Sequence, residues 1–286
     1  MPTAEPTPAR VTVIVPCYQD GNLIEETLAS IQETEPMEIV VVDDGSQDPA
    51  TVAKMDELEA AGTHVVRHTI NQGVAAARNT GLSHTSAPYV LPLDADDLLV
   101  PGIAGRLADL LDADPGAGVA YGDYEEFGES EQVRPVPVAI DPFRLAYINE
   151  YPQTAMLRRT ALASVGNWDS HKIEGYMYED WDLWLGLAGR GVRGRHAGPG
   201  VITHRQRVHG DRLLESVKRH HVAVYAGLRR KHAPLFDRID EHRRNTGLSS
   251  ARKRLYPIMF GGRRRYAFEP KVKEVIERAG LWRRPR

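Results

Sequence analysis

Three aspartates fall within the seven residues LPLDADD at 91–97, where an apolar run ends. Asp94, Asp96 and Asp97 repel one another at that spacing. A hard divalent cation, Mg²⁺ or Mn²⁺, relieves the repulsion and bridges to the oxygens of a diphosphate. The plain alternative is an acidic turn in which Asp97 caps the following helix. A second pair, Asp43 and Asp44 in VVVDDGS, also closes an apolar run. One of these carboxylates could accept from a base N–H or a ribose hydroxyl; the alternative is a turn made by Asp44-Gly45, with Ser46 or Asp48 capping a helix.

Arg78 stands in NQGVAAARNTGL, a stretch without G-x-G-x-x-G or G-K-[ST]. The backbone there has no phosphate-wrapping pattern, so Arg78 would act through its side chain, by bidentate bonds to a diphosphate. A solvated surface arginine is the alternative. In GYMYEDWDLWLGLAGRG, Trp181, Trp184, Leu185 and Ala188 share one helix face, which leaves Glu179 and Asp180 in the first turn. Asp180 could take a proton from an acceptor hydroxyl, or the pair could be helix caps. Tyr176, Tyr178, Trp181 and Trp184 suit either stacking on sugar faces or a packed core. The basic strip THRQRVHGDR adds His204 and His209 as candidate cation ligands, and Arg205 and Arg207 as partners for phosphate.

The elements that must position these residues follow from periodicity. Runs at 11–15 and 38–42 suit parallel strands buried on both faces, with a helix at 22–32 between them. The alternation continues with a helix at 51–61, a strand at 64–68, a helix at 74–83 and a strand at 89–93. Such a series predicts a doubly wound, mostly parallel α/β sheet, whose ligands bind at the carboxyl ends of the strands, where both aspartate groups fall. A helix at 103–111 and a strand at 119–122 come next, then an acidic and Pro-rich stretch at 125–142 expected as a loop or hairpin. Helical spacing resumes at 160–165 and 180–189, and again beyond 211.

With 286 residues the chain can bury a substantial core. Its one cysteine, Cys17, makes no intramolecular disulfide, which points to a reducing compartment, the cytoplasm. Residues 1–10 read as a frayed tail. No apolar stretch approaches the ~18 residues of a membrane span, which excludes a polytopic polymer synthase. The formal net charge of −3 hides an asymmetry, with basic residues crowding 252–286. Basic and aromatic residues together there suggest peripheral contact with an anionic membrane on its inner face, or a charged helical appendage packed on the rest of the chain. Nucleic acid is not expected, since no recognisable module accompanies the charge.

Taken in order, VIVPCYQD, VVVDDGSQD, NQGVAAARNTGL, LPLDADD and YEDWDLWLGL resemble the family 2 glycosyltransferases over roughly residues 11–210. The resemblance implies a GT-A fold, a nucleoside-diphosphate sugar donor with UDP-sugars favoured, transfer with inversion, and Mn²⁺ or Mg²⁺. It assigns Pro16 and Tyr18 to the nucleoside pocket, Asp43 or Asp44 to base or ribose, and Arg78 to the nucleotide. Asp94 and Asp96 become the D-x-D pair, contacting ribose and metal, and Asp180 becomes the base. Glu179, Trp181 and Tyr178 border the acceptor or sugar pocket. His209 falls near the metal and diphosphate, with His204 a lesser candidate. The expected division is a catalytic domain at 11–210, with a nucleotide half at about 11–100 and an acceptor half at about 101–210, then a helical basic extension at 211–286.

The sequence departs from the family pattern at two places. It lacks the Q-x-x-R-W motif and membrane helices of processive synthases, so transfer of a single sugar to a glycan, lipid-linked or other hydroxyl acceptor is expected. VGNWD at 165–169 stands for the usual V-G-G-F-D, so acceptor-pocket geometry is expected to differ there. The rival functions are a sugar nucleotidyltransferase, disfavoured because PCYQDGN is not a Gly-rich basic loop, and a catalytically silent nucleotide-sugar scaffold.

Overall fold

Val11–Cys17 (β1) is buried along its whole length and pairs in parallel with Met37–Asp43 (β2) on one side and Tyr89–Pro92 (β4) on the other. A strand covered on both faces has no use for polar alternation, which is why its run is almost unbroken. His64–Arg67 (β3) adds to β2, again in parallel. The connections are the helices Ile24–Ser30 (α1), Pro49–Ala60 (α2) and Val74–Ser83 (α3). Asp48 caps α2, accepting the Thr51 N–H at 2.9 Å, with Pro49 in the first turn. The computed structural model describes residues 8–171, 178–209 and 221–260.

Further along come Leu98–Leu99 (β5), Ile103–Ala113 (α4), Ala117–Tyr121 (β6), Asp123–Gly128 (β7), Gln132–Arg134 (β8), Pro142–Leu145 (α5), Met156–Arg158 (β9), Arg159–Ser164 (α6), Glu179–Gly189 (α7), Arg193–His196 (β10) and Ile202–Val208 (β11). The described C-terminal part is helical: His221–Lys231 (α8), Ala233–Asp237 (α9), Ile239–Asn245 (α10) and Ser250–Phe260 (α11). The larger sheet has the order β10-β6-β9-β4-β1-β2-β3. Only β9 runs against its neighbours β4 and β6, so the sheet is mostly parallel. A smaller sheet has the order β5-β11-β7-β8. The stretch at 125–142 supplies the β7–β8 hairpin, and the basic strip becomes β11, parallel to β7.

The chain forms two compact units. The first, from residues 8–139, 152–170 and 192–208, holds both sheets. Its core joins Val13, Val15, Ile24, Leu91 and Leu93 to Leu107 and Leu111 of α4. The second, from 140–151, 178–191 and 221–260 with His171 and His209, is helical. There Trp181, Trp184 and Leu185 bury one face of α7, and Trp184 lies 4.7 Å from the Tyr151 ring. Arg144 grips Glu150 with bonds of 2.7 and 2.6 Å, and the Tyr256 hydroxyl donates to the same carboxylate. Among the described residues no helix is long and apolar enough to cross a membrane.

Candidate active site

In the first unit the carboxyl ends of β1, β2 and β4 bring together the residues singled out from the sequence. Asp43 and Asp44, 5% and 3% exposed, hold different things. Asp44 accepts the N–H groups of Gln72 at 2.9 Å and Gly73 at 2.8 Å, and its Oδ1 lies 2.7 Å from His68 Nδ1. His68 Nε2 in turn lies 2.9 Å from the Thr80 hydroxyl of α3. Asp43 Oδ1 accepts the Ser46 N–H at 3.0 Å, and Oδ2 makes no hydrogen bond among the described residues. Gly45 follows at φ +76°, and a Cβ there would come within 2.5 Å of the Ile70 carbonyl carbon. Glycine is therefore required both by conformation and by the close approach of the β3–α3 loop.

Pro16 is buried inside β1 opposite Val42, whereas Tyr18, just beyond the strand, is 43% exposed. Gln19, which the motif reading passed over, turns at φ +64°. Its N–H donates to Ser46 Oγ at 3.0 Å and its Oε1 accepts the Asp48 N–H at 2.8 Å. Thus the loop bearing Tyr18 is tied to the loop that follows Asp43. Cys17, buried beneath them, has its thiol pushed up to about 12, chiefly by burial; a backbone hydrogen bond at Asp20 opposes the rise, and the charges of Asp20, Asp43 and Asp96 add smaller effects.

Arg78 is wholly buried and donates to Asp94 Oδ1 at 3.0 Å, which overturns the solvated-surface alternative. Asp94, Asp96 and Asp97 each offer an oxygen within 4.8 Å of the others. Oxygens sharing one Mg²⁺ lie at most about 4.2 Å apart, so modest side-chain rotation closes the group on a hard cation. Asp97 is 3% exposed, and its carboxyl is raised well above the usual range, by burial first and then by Asp94 and Asp96. A cation would offset that mutual repulsion. Asp97 does not cap the following helix; its Oδ1 accepts the Arg207 N–H at 2.8 Å. The Arg207 guanidinium donates to the Asp96 carbonyl at 2.9 Å and lies 4.5 Å from the Phe127 ring centre. The acidic turn is thereby strapped to β11.

His204 sits inside β11, 2% exposed and stacked on Tyr124 with ring centres 5.1 Å apart. Burial pushes its imidazole down to about 3, against a smaller opposing effect from Asp94, so the ring is neutral. His209 follows β11 and is exposed.

VGNWD belongs to this unit. Asn167 adopts φ +64°, a conformation asparagine tolerates better than most residues, so it can stand where the family has glycine. Trp168 is 2% exposed, and its backbone is held at both ends by Asn79, with Nδ2 donating to the Trp168 carbonyl at 2.7 Å and Oδ1 accepting its N–H at 3.2 Å.

In the second unit, Asp180 lies in the first turn of α7 with Glu179, both half-buried. Asp180 Oδ1 accepts the Trp181 N–H at 2.7 Å, and Oδ2 accepts Asn149 Nδ2 at 3.1 Å. Trp181 is 4% exposed and its indole N–H donates to the Leu145 carbonyl at 2.8 Å. That burial makes it a core residue that seats α7 rather than a platform for a sugar. Tyr178 is half-buried, 6.2 Å from Trp181 between ring centres. Tyr176 lies outside the described residues.

A family model described as Glycosyl transferase family 2 matches residues 12–168, more than half of the chain. The protein belongs to glycosyl transferase family 2. Among relatives of this family 2 chain, the succinoglycan biosynthesis protein ExoU of Rhizobium meliloti is 38% identical over 102 residues, covering 35% of this chain and 30% of ExoU. Glycosyltransferase GlyA of Streptococcus pneumoniae is 36% identical over 126 residues, covering 43% of this chain and 18% of GlyA. The chain therefore spans less than a third of the length of either relative. Two solved structures share its fold at 20% identity. TarS 1–349 of S. aureus in complex with UDP-GlcNAc has a TM-score of 0.63, covering 94% of this chain and 77% of that one. The mannosyltransferase PcManGT of Pyrobaculum calidifontis in complex with GDP-Man and Mn²⁺ has a TM-score of 0.59, covering 98% and 79%. The fold of this family 2 chain is GT-A.

Proposed function

We propose that this protein transfers a single sugar from a nucleoside-diphosphate sugar, with UDP-sugars favoured, to the hydroxyl of a glycan or lipid-linked acceptor, inverting the anomeric carbon. The observation that carries the reading is the Asp94, Asp96 and Asp97 group at the end of β4, with buried Arg78 paired to Asp94. Asp43 Oδ2 is the acceptor suited to a ring N–H of the base, which uracil and guanine both carry and adenine lacks. Asp180 takes the acceptor proton as the new C–O bond forms and the bond to the diphosphate breaks in one displacement. Arg78 offsets charge on the departing diphosphate. Asp96, with His209 as a second ligand, would hold Mn²⁺ or Mg²⁺, whose chemistry is Lewis-acid stabilisation of that leaving group.

Thermal shift with UDP-GlcNAc and GDP-mannose, with and without Mn²⁺, tests the donor site. A ligand at 100 times its Kd stabilises by about 2.7 kcal/mol. The stabilisation should need the metal and vanish in Asp96→Ala. Asp180→Asn should bind as well as wild type and transfer nothing; equal loss of binding in both variants would refute this division of roles. Release of nucleoside diphosphate supports transfer, whereas pyrophosphate would establish a nucleotidyltransferase.

A further inference from the structure

We infer that Asn149 sets the pose of the Asp180 carboxylate, a positioning role that rests on the reading of Asp180 as the base. Asn149 lies in INEYPQT, outside every motif that the sequence offers. The direction of its amide follows from its neighbours. Oδ1 accepts the Tyr151 N–H at 3.1 Å, so the donor end, Nδ2, is the one that faces Asp180 Oδ2, also at 3.1 Å. The other Asp180 oxygen accepts the Trp181 N–H at 2.7 Å.

A carboxylate held at both oxygens cannot turn about its Cβ–Cγ bond without losing one of the two bonds. The plane of the carboxylate is therefore fixed, and proton transfer from a hydroxyl depends on that orientation. The anchors are themselves fixed. The Tyr151 ring lies 4.7 Å from Trp184, and the Tyr151 hydroxyl accepts the Asp141 N–H at 2.8 Å. Trp181 is held by its indole bond to Leu145. The amide meets both neighbours at once, because its planar end carries an acceptor for Tyr151 and a donor for Asp180.

Substitution separates this role from mere support of the loop. Asn149→Asp keeps the acceptor for Tyr151 but turns a second carboxylate toward Asp180; Asn149→Ala removes both contacts. The probe is release of nucleoside diphosphate with water as the acceptor and Mn²⁺ present, from whichever of UDP-GlcNAc and GDP-mannose stabilises the wild type more. Both variants should lose about 10- to 100-fold in kcat, with donor KM and nucleotide Kd within about twofold of wild type. The double variant Asp180→Asn/Asn149→Ala should be no slower than Asp180→Asn alone. Wild-type kcat in Asn149→Asp, or additive losses in the double variant, would overturn the inference. Undiminished release by Asp180→Asn would instead sink the base assignment beneath it.

Discussion

Asp43 and Asp44 are neighbours of equal burial, yet removing them should have opposite consequences. Asp44→Ala strands His68 and the N–H groups of Gln72 and Gly73, and unpaired buried donors of this kind should cost about 2–4 kcal/mol. Asp43→Ala strands one N–H, that of Ser46, so it should lower stability by only about 1 kcal/mol while weakening UDP binding about tenfold or more. Urea unfolding and calorimetric titration of UDP on both variants check the contrast; intact UDP affinity in Asp43→Ala would remove it from the nucleoside pocket. From the sequence the two carboxylates are interchangeable, because the donors that distinguish them come from residues 24 to 29 positions further on. Arg78 presents the same difficulty, since its fate depends on Asp94, 16 positions away. Asn149 gave no signal at all, as its partners are a backbone N–H and one carboxylate oxygen.

At the scale of elements, α3 shows how closely a small-residue helix can press on a sheet. A Cβ at Gly81 would come within 2.6 Å of Ile14 Cγ2 and 3.2 Å of Val40 Cγ1. Gly81→Ala should therefore push α3 outward and cost about 1–3 kcal/mol by overpacking. Because Arg78 lies on the same helix, nucleotide affinity should fall with stability, which thermal melts with and without UDP would detect. The β1 to β4 alternation was readable because β1 and β4 are buried along their length and β2 over its second half, and each therefore shows an apolar run. β9 was not, being three residues long and too short for any period. β11 reads as a basic strip because Arg205 and Arg207 lay their guanidinium groups 4.6 and 4.5 Å from the Phe127 ring centre. Cationic side chains thus cover an aromatic where an apolar residue would have announced a strand.

For the whole molecule, charge is the property most unevenly distributed. Residues 221–260 carry nine Lys and Arg against three Asp and Glu, and more basic residues follow in 261–286, outside the described residues. Each basic residue near an anionic bilayer contributes about 1 kcal/mol. Full-length protein should therefore float with phosphatidylserine vesicles at low salt and release at high salt. Equal flotation with neutral vesicles would reject an electrostatic attachment.

The strap from β11 to the acidic turn also bears on how the protein is made. Asp97 and its partner Arg207 are 110 positions apart, and translation adds about 5–20 residues per second. A nascent chain thus carries its acidic turn unstrapped for roughly 5–20 s before β11 emerges to close it. The turn at the end of β4 is synthesised early and completed late, its last contact formed only when the first unit has all of its strands.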